Sequence, residues 1–313
     1  MITILGMGVA GLCAATALTE AGLRVQLAAP LGHGASHLAG GMLAPFCEAE
    51  SAPAIVTTLG RGAADWWAAR VPGVQRHGTL VIAPPRDGAE LQRFASRTTG
   101  HQALDTAGIA ALEPALAGRS LQGLFFADEA HLDPRAALAA LTASLQAKGV
   151  ASNQPPQGTI VDCRGIAARD RLSSLRAVRG EMLLLRCPDL TLSRPIRLLH
   201  PRFPCYLVPR GNGIFMLGAT MLESDRTGPI TVRSTMELLS AAFAIHPALA
   251  EAEIVETGAG LRPAYPDNIP AVRHNAGRWH LNGLYRHGFL LAPALAQQLV
   301  ARLTTSPEPI HAD

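Results

Sequence analysis

The chain opens with a glycine-rich turn between an apolar strand and an alanine-rich helix, and this turn limits the fold more than any other feature. Its first residues, MITILGMGVAGLCAATALTE, place Gly6, Gly8 and Gly11 in the spacing GxGxxG. Such glycines permit a tight turn, let the backbone approach a pyrophosphate, and let the helix pack closely on the strand. A second apolar strand near Val25 to Leu27 completes a βαβ unit. The pattern predicts a dinucleotide site, for NAD or FAD, with the pyrophosphate at the helix N-terminus.

One part of the usual dinucleotide site is missing from the end of the second strand. A carboxylate there normally accepts hydrogen bonds from the adenosine ribose. This chain has Ala28 and Ala29 at that position, and the next acid along the sequence is Glu48. We therefore expect backbone groups or other side chains to hold the adenosine end.

Composition indicates a globular protein large enough for two lobes. Its 313 residues are 48% hydrophobic and carry a net charge of +3, and single cores stop growing at roughly 250–300 residues. The basic residues and histidines are scattered, which argues against a nucleic-acid partner. Apolar runs stay shorter than the roughly 18 residues of a membrane span, and the N-terminus has no basic leader region. We expect a cytoplasmic protein with no membrane partner.

The cysteines indicate neither a disulfide framework nor a metal site. They are odd in number and widely spaced, without a CxxC pair. Buried, unreactive thiols are the better interpretation. The five residues are Cys13, Cys47, Cys163, Cys187 and Cys205.

Hydrophobic patterning predicts the remaining organisation. Asp133 and Pro134 are typical of a helix start, as N-cap and first helical residue. A run of strands with short turns, including one at Gly211 to Gly213, predicts an antiparallel sheet distinct from the parallel nucleotide-binding lobe. Helices are predicted over 54–69, 89–96, 134–148, 234–243 and 289–303, and strands at 78–85, 158–165, within 181–219 and at 279–283.

Two arginines near the C-terminus could bind an anion. Small residues and prolines around Arg262 predict a tightly packed loop, and Arg286 lies between Tyr285 and a turn at Gly288. An arginine presents a planar guanidinium that suits a carboxylate. The apolar helix after Gly288 offers a second N-terminus that favours negative charge.

These residue types also have plainer interpretations. Arg262 could bind loop carbonyls, and Tyr206 could be a core tyrosine with its hydroxyl hydrogen-bonded. Met221 alone could be packing, and His287 an exposed loop histidine. Trp66 and Trp67 are predicted in the core or at a lobe interface.

Seven segments together resemble the FAD-dependent D-amino-acid oxidase superfamily over essentially the whole chain. Within it, the chain is most similar to the glycine oxidases of the thiamine thiazole pathway. The chain is shorter than usual for the family, with the loss near residues 151–158. The segments are GMGVAGL, GASHLAGGMLAPFCEAE, HLDPRAAL, VRGEMLLL, CYLVPRGNGIFMLGATMLESD, GLRPAYPDNIPAV and YRHGFLLAPALA.

The resemblance implies FAD as the cofactor and a set of residues for each ligand. Where the family typically has Arg-Asn-Gly near the flavin pyrimidine edge, this chain has Arg286, His287 and Gly288. Tyr206 and Arg262 are implied to position the substrate carboxylate, and no residue is implied as a certain chemical catalyst. The implied substrate-binding residues are Tyr206, Met221, Arg262 and Arg286. The implied cofactor-binding residues are Gly6, Gly8, Val9, Ala10, Gly11, Ala35, Ser36, Gly40, Gly41, Met42, Arg286, His287, Gly288, Phe289 and Leu290.

The implied fold is α/β overall, with a Rossmann-like FAD-binding domain interleaved with a substrate domain built on an antiparallel sheet. We expect residues 1–75, 126–172 and 256–313 in the first and residues 76–125 and 173–255 in the second. Relatives are often multimeric, which allows a homo-oligomer.

The implied reaction is oxidative deamination of glycine or a similar small amine. Hydride passes to the flavin, dioxygen reoxidises it, and hydrogen peroxide forms. Two alternatives stay open: a dehydrogenase of D-amino acids or secondary amines that passes electrons to a carrier, and a non-catalytic descendant of the family.

Overall fold

The computed structural model describes residues 1–28 and 34–305, in which helices and strands alternate. The helices are α1 (Val9–Glu20), α2 (Pro45–Glu48), α3 (Ala54–Gly60), α4 (Ala63–Ala68), α5 (Gly88–Arg97), α6 (Thr106–Leu112), α7 (Pro134–Ala147), α8 (Val232–Ile245) and α9 (Gly288–Thr305). The strands are β1 (Ile2–Leu5), β2 (Val25–Ala28), β3 (Met42–Leu43), β4 (Thr79–Ala83), β5 (Gln102–Leu104), β6 (Gln122–Phe126), β7 (Ala130–His131), β8 (Ala151–Ser152), β9 (Thr159–Asp162), β10 (Arg176–Arg186), β11 (Ile196–Leu198), β12 (Cys205–Gly211), β13 (Ile214–Gly218), β14 (Leu222–Glu223), β15 (Glu253–Ala264), β16 (Ala271–Asn275) and β17 (Arg278–Asn282).

The first sheet contains the glycine turn. Within the described ranges its strand order is β16-β17-β9-β1-β2-β8, and all neighbours except β16 and β17 run parallel. Helices α1, α7 and α9 contribute to the apolar core of this lobe. A parallel sheet needs covered faces, which explains why its strands are buried.

The second sheet carries the opposite lobe. Its order is β14-β10-β13-β12-β11-β4-β6-β5, with β15 added alongside β10. Neighbouring strands are antiparallel, except that β11 runs parallel to β4. Apolar side chains of this sheet pack against α8 in a separate core. The prediction of a parallel nucleotide-binding lobe joined to an antiparallel lobe is confirmed.

The prediction of a loop around Arg262 was wrong. Residues 253–264 form β15, which pairs with β10 along almost its whole length, including Arg262 opposite Val178. Residue propensities did not predict this strand, because it contains glycines and glycine is depleted in strands. The backbone hydrogen bonds to β10 override that preference. The domain boundary expected at residue 256 therefore falls inside a strand of the second sheet.

The predicted helix over 54–69 is also divided, into α3 and α4, at Arg61 and Gly62. Glycine disfavours helix interiors, and Gly62 occupies the N-cap position of α4. At Gly60, a Cβ atom would lie 2.8 Å from the Leu290 side chain. Gly60 thus lets this segment pack closely on α9.

Other predicted elements are found close to their expected positions. The Asp133 carboxylate accepts hydrogen bonds from the N–H groups of Arg135 and Ala136 at the start of α7. The turn at residues 211–213 has positive φ throughout. Trp67 is buried and its indole N–H donates to the Phe289 carbonyl at 2.8 Å. The short strands β5 and β6 and the edge strand β16 were missed.

All five cysteines are buried and free, as predicted. Burial raises the pKa of the Cys205 thiol to about 12, which keeps it protonated. None of the helices in the described ranges combines the length and apolar character that crossing a membrane requires.

Candidate functional site

One cavity of about 820 Å³ joins the glycine turn of the first sheet to a face of the second sheet. Its walls include Gly6 and Gly8 at one side, and Tyr206 on β12 and Arg262 on β15 at the other. Cofactor and small-molecule sites typically occupy roughly 300–1,000 Å³. The cavity is therefore of the size that a bound cofactor requires.

The glycine turn has the geometry that its spacing predicts. Gly6 has φ of +101°, and a Cβ atom there would lie 2.8 Å from the Cys163 carbonyl oxygen. A Cβ on Gly11 would overlap the Gly6 carbonyl oxygen, so only glycine lets α1 pack this closely. The Ser36 hydroxyl accepts a hydrogen bond from Val9 N–H at 3.0 Å. Ser36, which the resemblance assigns to the cofactor, thus lies at the N-terminus of α1.

The position of the missing ribose carboxylate is described only in part. Ala28 ends β2, and its carbonyl accepts a hydrogen bond from Gly6 N–H at 3.1 Å. Ala29 lies outside the described residues.

The segment after the turn connects the two ends of the cavity. Ala35–Leu38 forms a 3₁₀ helix, and a Cβ on Gly40 would lie 2.7 Å from the Tyr206 ring. Gly40 therefore allows the predicted cofactor loop to lie against the predicted substrate tyrosine. The nearly buried Arg210 guanidinium holds this loop by donating to the Ala39 and Gly40 carbonyls.

A glycine on β10 makes room for the Arg262 guanidinium, and a glycine on β15 makes room for the 3₁₀ helix. Gly180 lies on the neighbouring strand, and a Cβ there would overlap the guanidinium. Gly260 faces the 3₁₀ helix, where its Cβ would lie 3.2 Å from Leu38. The Arg262 guanidinium therefore lies over Gly180, and the predicted cofactor loop packs against Gly260.

Arg262 keeps most of its hydrogen-bonding capacity. Its Nη1 donates to the Thr220 carbonyl at 2.9 Å, and it forms no ion pair with any residue that the structure describes. Guanidinium groups have five N–H donors. The remaining donors of this cavity-lining side chain are available to a ligand carboxylate.

Tyr206 lies near Arg262 in the same cavity. It pairs with Gly218 on β13 and with Arg197 on β11. A Cβ on Gly218 would lie 3.3 Å from the tyrosine hydroxyl. The same Cβ would lie 2.8 Å from the Met216 methyl carbon, so Gly218 lets Met216 and the Tyr206 ring pack together at the cavity wall.

Arg286, the second predicted substrate arginine, is already paired. Its Nε donates to Glu48 Oε2 at 2.8 Å, and its Nη2 donates to the same oxygen. His287 Nδ1 lies 3.4 Å from that oxygen without forming a hydrogen bond. Arg197 reaches Glu48 Oε1 at 3.8 Å. Glu48 is therefore the centre of a charged cluster at this end of the cavity.

The cluster shifts the ionisation of its members. Burial would raise the pKa of the Glu48 carboxyl, but Arg286, His287 and Arg197 outweigh it and hold that pKa at about 2. Burial lowers the pKa of the His287 imidazole to about 4, against the opposing effect of Glu48. At neutral pH, Glu48 is charged and His287 is neutral.

The N-termini of α1 and α9 meet at the cavity. A Cβ on Gly288, the first residue of α9, would lie 3.1 Å from the Val9 side chain at the start of α1. Helix N-termini carry partial positive charge and exposed N–H groups. The arrangement favours negative charge at two places on one ligand.

The structure brings the predicted site residues together. Apart from Gly11, every residue assigned to cofactor or substrate lines this one cavity. Gly11 does not line the cavity; it lets α1 pack closely against Gly6 and Ile4. Met221 lies at the rim, 51% exposed, with its sulfur 3.5 Å from Arg286 Nη1.

Sequence reasoning missed the roles of Glu48, Gly180 and Arg197. The signal for Glu48 was its position as the first acid after the second strand. The roles of Gly180 and Arg197 depend on strand pairing. Gly180 lies on the strand beside Arg262, and Arg197 pairs with Tyr206.

Comparisons with known proteins agree with this geometry. A family model described as DAO, FAD dependent oxidoreductase, matches residues 1–302. A protein of Rhizobium etli, named as a thiamine biosynthesis oxidoreductase, ThiO, is 56% identical, with 97% of this chain and 96% of the relative covered.

Solved structures show the same fold. Glycine oxidase from Geobacillus kaustophilus superposes with a TM-score of 0.81 at 23% identity, covering 96% of this chain and 93% of that chain. Iminodiacetate oxidase from a Chelativorans species gives a TM-score of 0.84 at 21% identity, covering 98% and 96%.

Proposed function

This chain belongs to the DAO family of FAD-dependent oxidoreductases, and from that membership we propose that it oxidises glycine or a similarly small amine with one carboxylate. FAD is the cofactor. The glycine turn, the loop at Ser36 and the N-termini of α1 and α9 fit its pyrophosphate and ring. The products are a 2-oxo acid, ammonia or an amine, and hydrogen peroxide.

The observation that carries the proposal is the Arg262 guanidinium, which has no ion-pair partner among the described residues and donates one hydrogen bond, to the Thr220 carbonyl. It lies over Gly180 of the second sheet and lines a cavity that also contains the predicted cofactor residues. An arginine without an acidic partner attracts a carboxylate, and the planar fork orients it. Tyr206, which lines the same cavity, can add a second hydrogen bond. The substrate α-carbon is thereby directed toward the cofactor loop.

Positioning is the main task of these residues. Bound FAD supplies the hydride acceptor, so the protein needs no strong base of its own. A clamp that fixes the reacting carbon can lower a barrier by several kcal/mol, in the range of about 7–11 for ideal intramolecular geometry. Phe289, Leu290 and Met42 add apolar wall that limits water near the reacting carbon.

The names of similar proteins support the substrate and the pathway. The Rhizobium etli relative is named for thiamine biosynthesis, and a structural relative is a glycine oxidase. We therefore propose that this reaction serves synthesis of the thiamine thiazole. Dioxygen is proposed as the electron acceptor.

Product analysis of the purified holoenzyme tests this function. Incubation with glycine in air should yield glyoxylate, ammonia and hydrogen peroxide in equal amounts. Glyoxylate that forms only with an added electron-accepting dye, without peroxide, would favour the dehydrogenase alternative. Turnover of sarcosine or a short D-amino acid, but not glycine, would redirect the substrate assignment. A holoenzyme that consumes none of them would overturn the proposal.

A further inference from the structure

The arginines that line the cavity differ in whether an acid neutralises them. Five arginines contribute to its walls. Arg135 pairs with Glu256, and Arg164 pairs with Asp162 and Asp170. Three carboxylates face these two arginines of the first lobe, so the pairs leave no net positive charge there.

At the substrate end, Glu48 cancels Arg286. Both Nε and Nη2 of Arg286 donate to one Glu48 oxygen, and the side chains are only 20% and 17% exposed. A pair this enclosed behaves as a neutral unit toward an incoming ligand, since the opposite charges are in direct contact.

Arg197 is compensated more loosely. It lies 3.8 Å from Glu48 and 3.9 Å from Glu50, and both carboxylates are mostly buried. Glu181, another cavity-lining acid, is bound by Arg179 at 2.8 Å. Within the described ranges, this leaves Arg262 as the one cavity-lining arginine without an ion-pair partner.

We propose that Glu48 determines the substrate class by neutralising Arg286, so that the site accepts amines with one carboxylate and rejects those with two. This inference rests on the proposed function, because it concerns the substrate of the same site. One free cation matches one carboxylate. A second carboxylate would lose water without gaining an opposite charge, a cost that buried ions rarely recover.

Removing the Glu48 charge should release Arg286 for a second carboxylate. In Glu48→Gln the amide oxygen still accepts a hydrogen bond from Arg286, while the positive charge becomes uncompensated. Specificity of this kind is a difference between two affinities. The ratio of affinities for a dicarboxylate and a monocarboxylate is therefore the quantity to measure.

The direct test is calorimetric titration of the FAD-loaded holoenzyme with acetate and with malonate. In the wild type, malonate should bind no better than acetate. In Glu48→Gln, the preference should shift toward malonate by about tenfold or more, the value of a charge-assisted hydrogen bond. An unchanged malonate-to-acetate ratio would overturn the proposal.

A double variant keeps the test decisive if Glu48→Gln folds poorly. Glu48→Gln combined with Arg286→Gln removes both charges and again leaves Arg262 as the free cation. Its malonate-to-acetate ratio should match the wild type. Loss of acetate binding in this variant would show instead that Arg286 itself holds the carboxylate, which contradicts the proposal.

Glu256→Gln is the matched control. It removes the carboxylate charge beside another cavity-lining arginine, Arg135, which donates two hydrogen bonds to Glu256. Its ratio should stay at the wild-type value. A shift equal to that of Glu48→Gln would mean that general charge, rather than the Glu48 position, controls the ratio, and would also overturn the proposal.

Turnover separates this inference from the proposed function. The kcat/KM for iminodiacetate relative to glycine should rise in Glu48→Gln, mainly through KM. If the wild type oxidises neither amine, the proposed function fails, whereas the calorimetric ratios still decide the role of Glu48. If the wild type oxidises glycine and the ratios do not move, the inference alone fails.

Discussion

At the scale of single residues, the two arginines that sequence reasoning treated alike have different environments. Arg262 has one hydrogen bond to the Thr220 carbonyl, whereas Arg286 is bound by Glu48 through two nitrogens. Motifs predicted that both would lie at one site, and both line the cavity. Their pairing was not predictable, because Glu48 and Arg286 are far apart in the chain and meet only after folding.

Replacing Arg262 by lysine tests its assignment. Arg262→Lys keeps the charge but loses the planar fork, so the KM for glycine should rise by about 10- to 100-fold while FAD stays bound. Steady-state kinetics and the flavin spectrum give the two readouts. Arg273→Lys is the control, since Arg273 stacks on Tyr265 and does not line the cavity. An unchanged KM in Arg262→Lys would refute the carboxylate clamp.

At the scale of elements, strand pairing explains both the success and the failure of prediction. Apolar strands such as β12 and β13 can be predicted from their composition. Strand β15 cannot, because Gly258 and Gly260 replace the residues that favour strands. These glycines leave space for the 3₁₀ helix at Ala35–Leu38, a contact that no local pattern contains.

Filling one of these glycine positions should disable the clamp without touching it directly. In Gly180→Ala, the new methyl group would overlap the Arg262 guanidinium and displace it. The KM for glycine should rise about as much as in Arg262→Lys, roughly 10- to 100-fold. Gly62→Ala, where a Cβ meets nothing within 4 Å, should behave like the wild type. Equal kinetics for the two alanine variants would contradict the described position of Arg262.

The contact between Glu129 and the short helix α2 should make the stability of the fold depend on pH. Glu129 is buried and accepts a hydrogen bond from Cys47 N–H at 2.7 Å, next to Glu48. Burial raises the pKa of Glu129 to about 7. The folded chain therefore prefers the protonated carboxyl. Its contribution to stability is complete below about pH 4.5, the pKa of an unfolded glutamate, and is lost as pH rises through about 7.

Glu129→Gln tests this element. The amide keeps an oxygen for Cys47 N–H and cannot ionise, so the variant should lose less stability between pH 5 and pH 8 than the wild type. A pKa raised by this amount corresponds to at most about 3 kcal/mol of unfolding free energy. Urea unfolding of the holoenzyme at both pH values, with FAD at fixed concentration, measures the difference. The same pH dependence in both proteins would contradict the buried, protonated carboxyl.

At the scale of the whole molecule, the cavity combines residues from two sheets. The first contributes the glycine turn and the N-termini of α1 and α9, and the second contributes Tyr206 and Arg262. The turn predicted its own lobe because the motif is local, with strand, glycines and helix adjacent in sequence. The geometry of the substrate side depends on the register of β10, β12, β13 and β15, which no local motif contains. Its residues were therefore predicted from the resemblance of the whole chain to a family.

The division between lobes carries a consequence for function. The glycine turn follows a strand of the first sheet, and Tyr206 and Arg262 lie on the second sheet, so we expect binding of FAD and binding of the proposed substrate anion to be altered independently. Variants at Arg262 should therefore keep the flavin, and variants at Gly11 should lose it first. The connecting loop at Gly40, which touches Tyr206, is the place where the two sites meet.

We propose that the bound flavin and an amine held by Arg262 meet in this cavity. Anaerobic titration of the holoenzyme with glycine tests it most directly. The flavin absorbance near ~450 nm should bleach, because reduction removes the band of the oxidised cofactor. Arg262→Lys should require far more glycine for the same bleaching. Flavin that stays oxidised at saturating glycine, or bleaches equally in both proteins, would contradict the account.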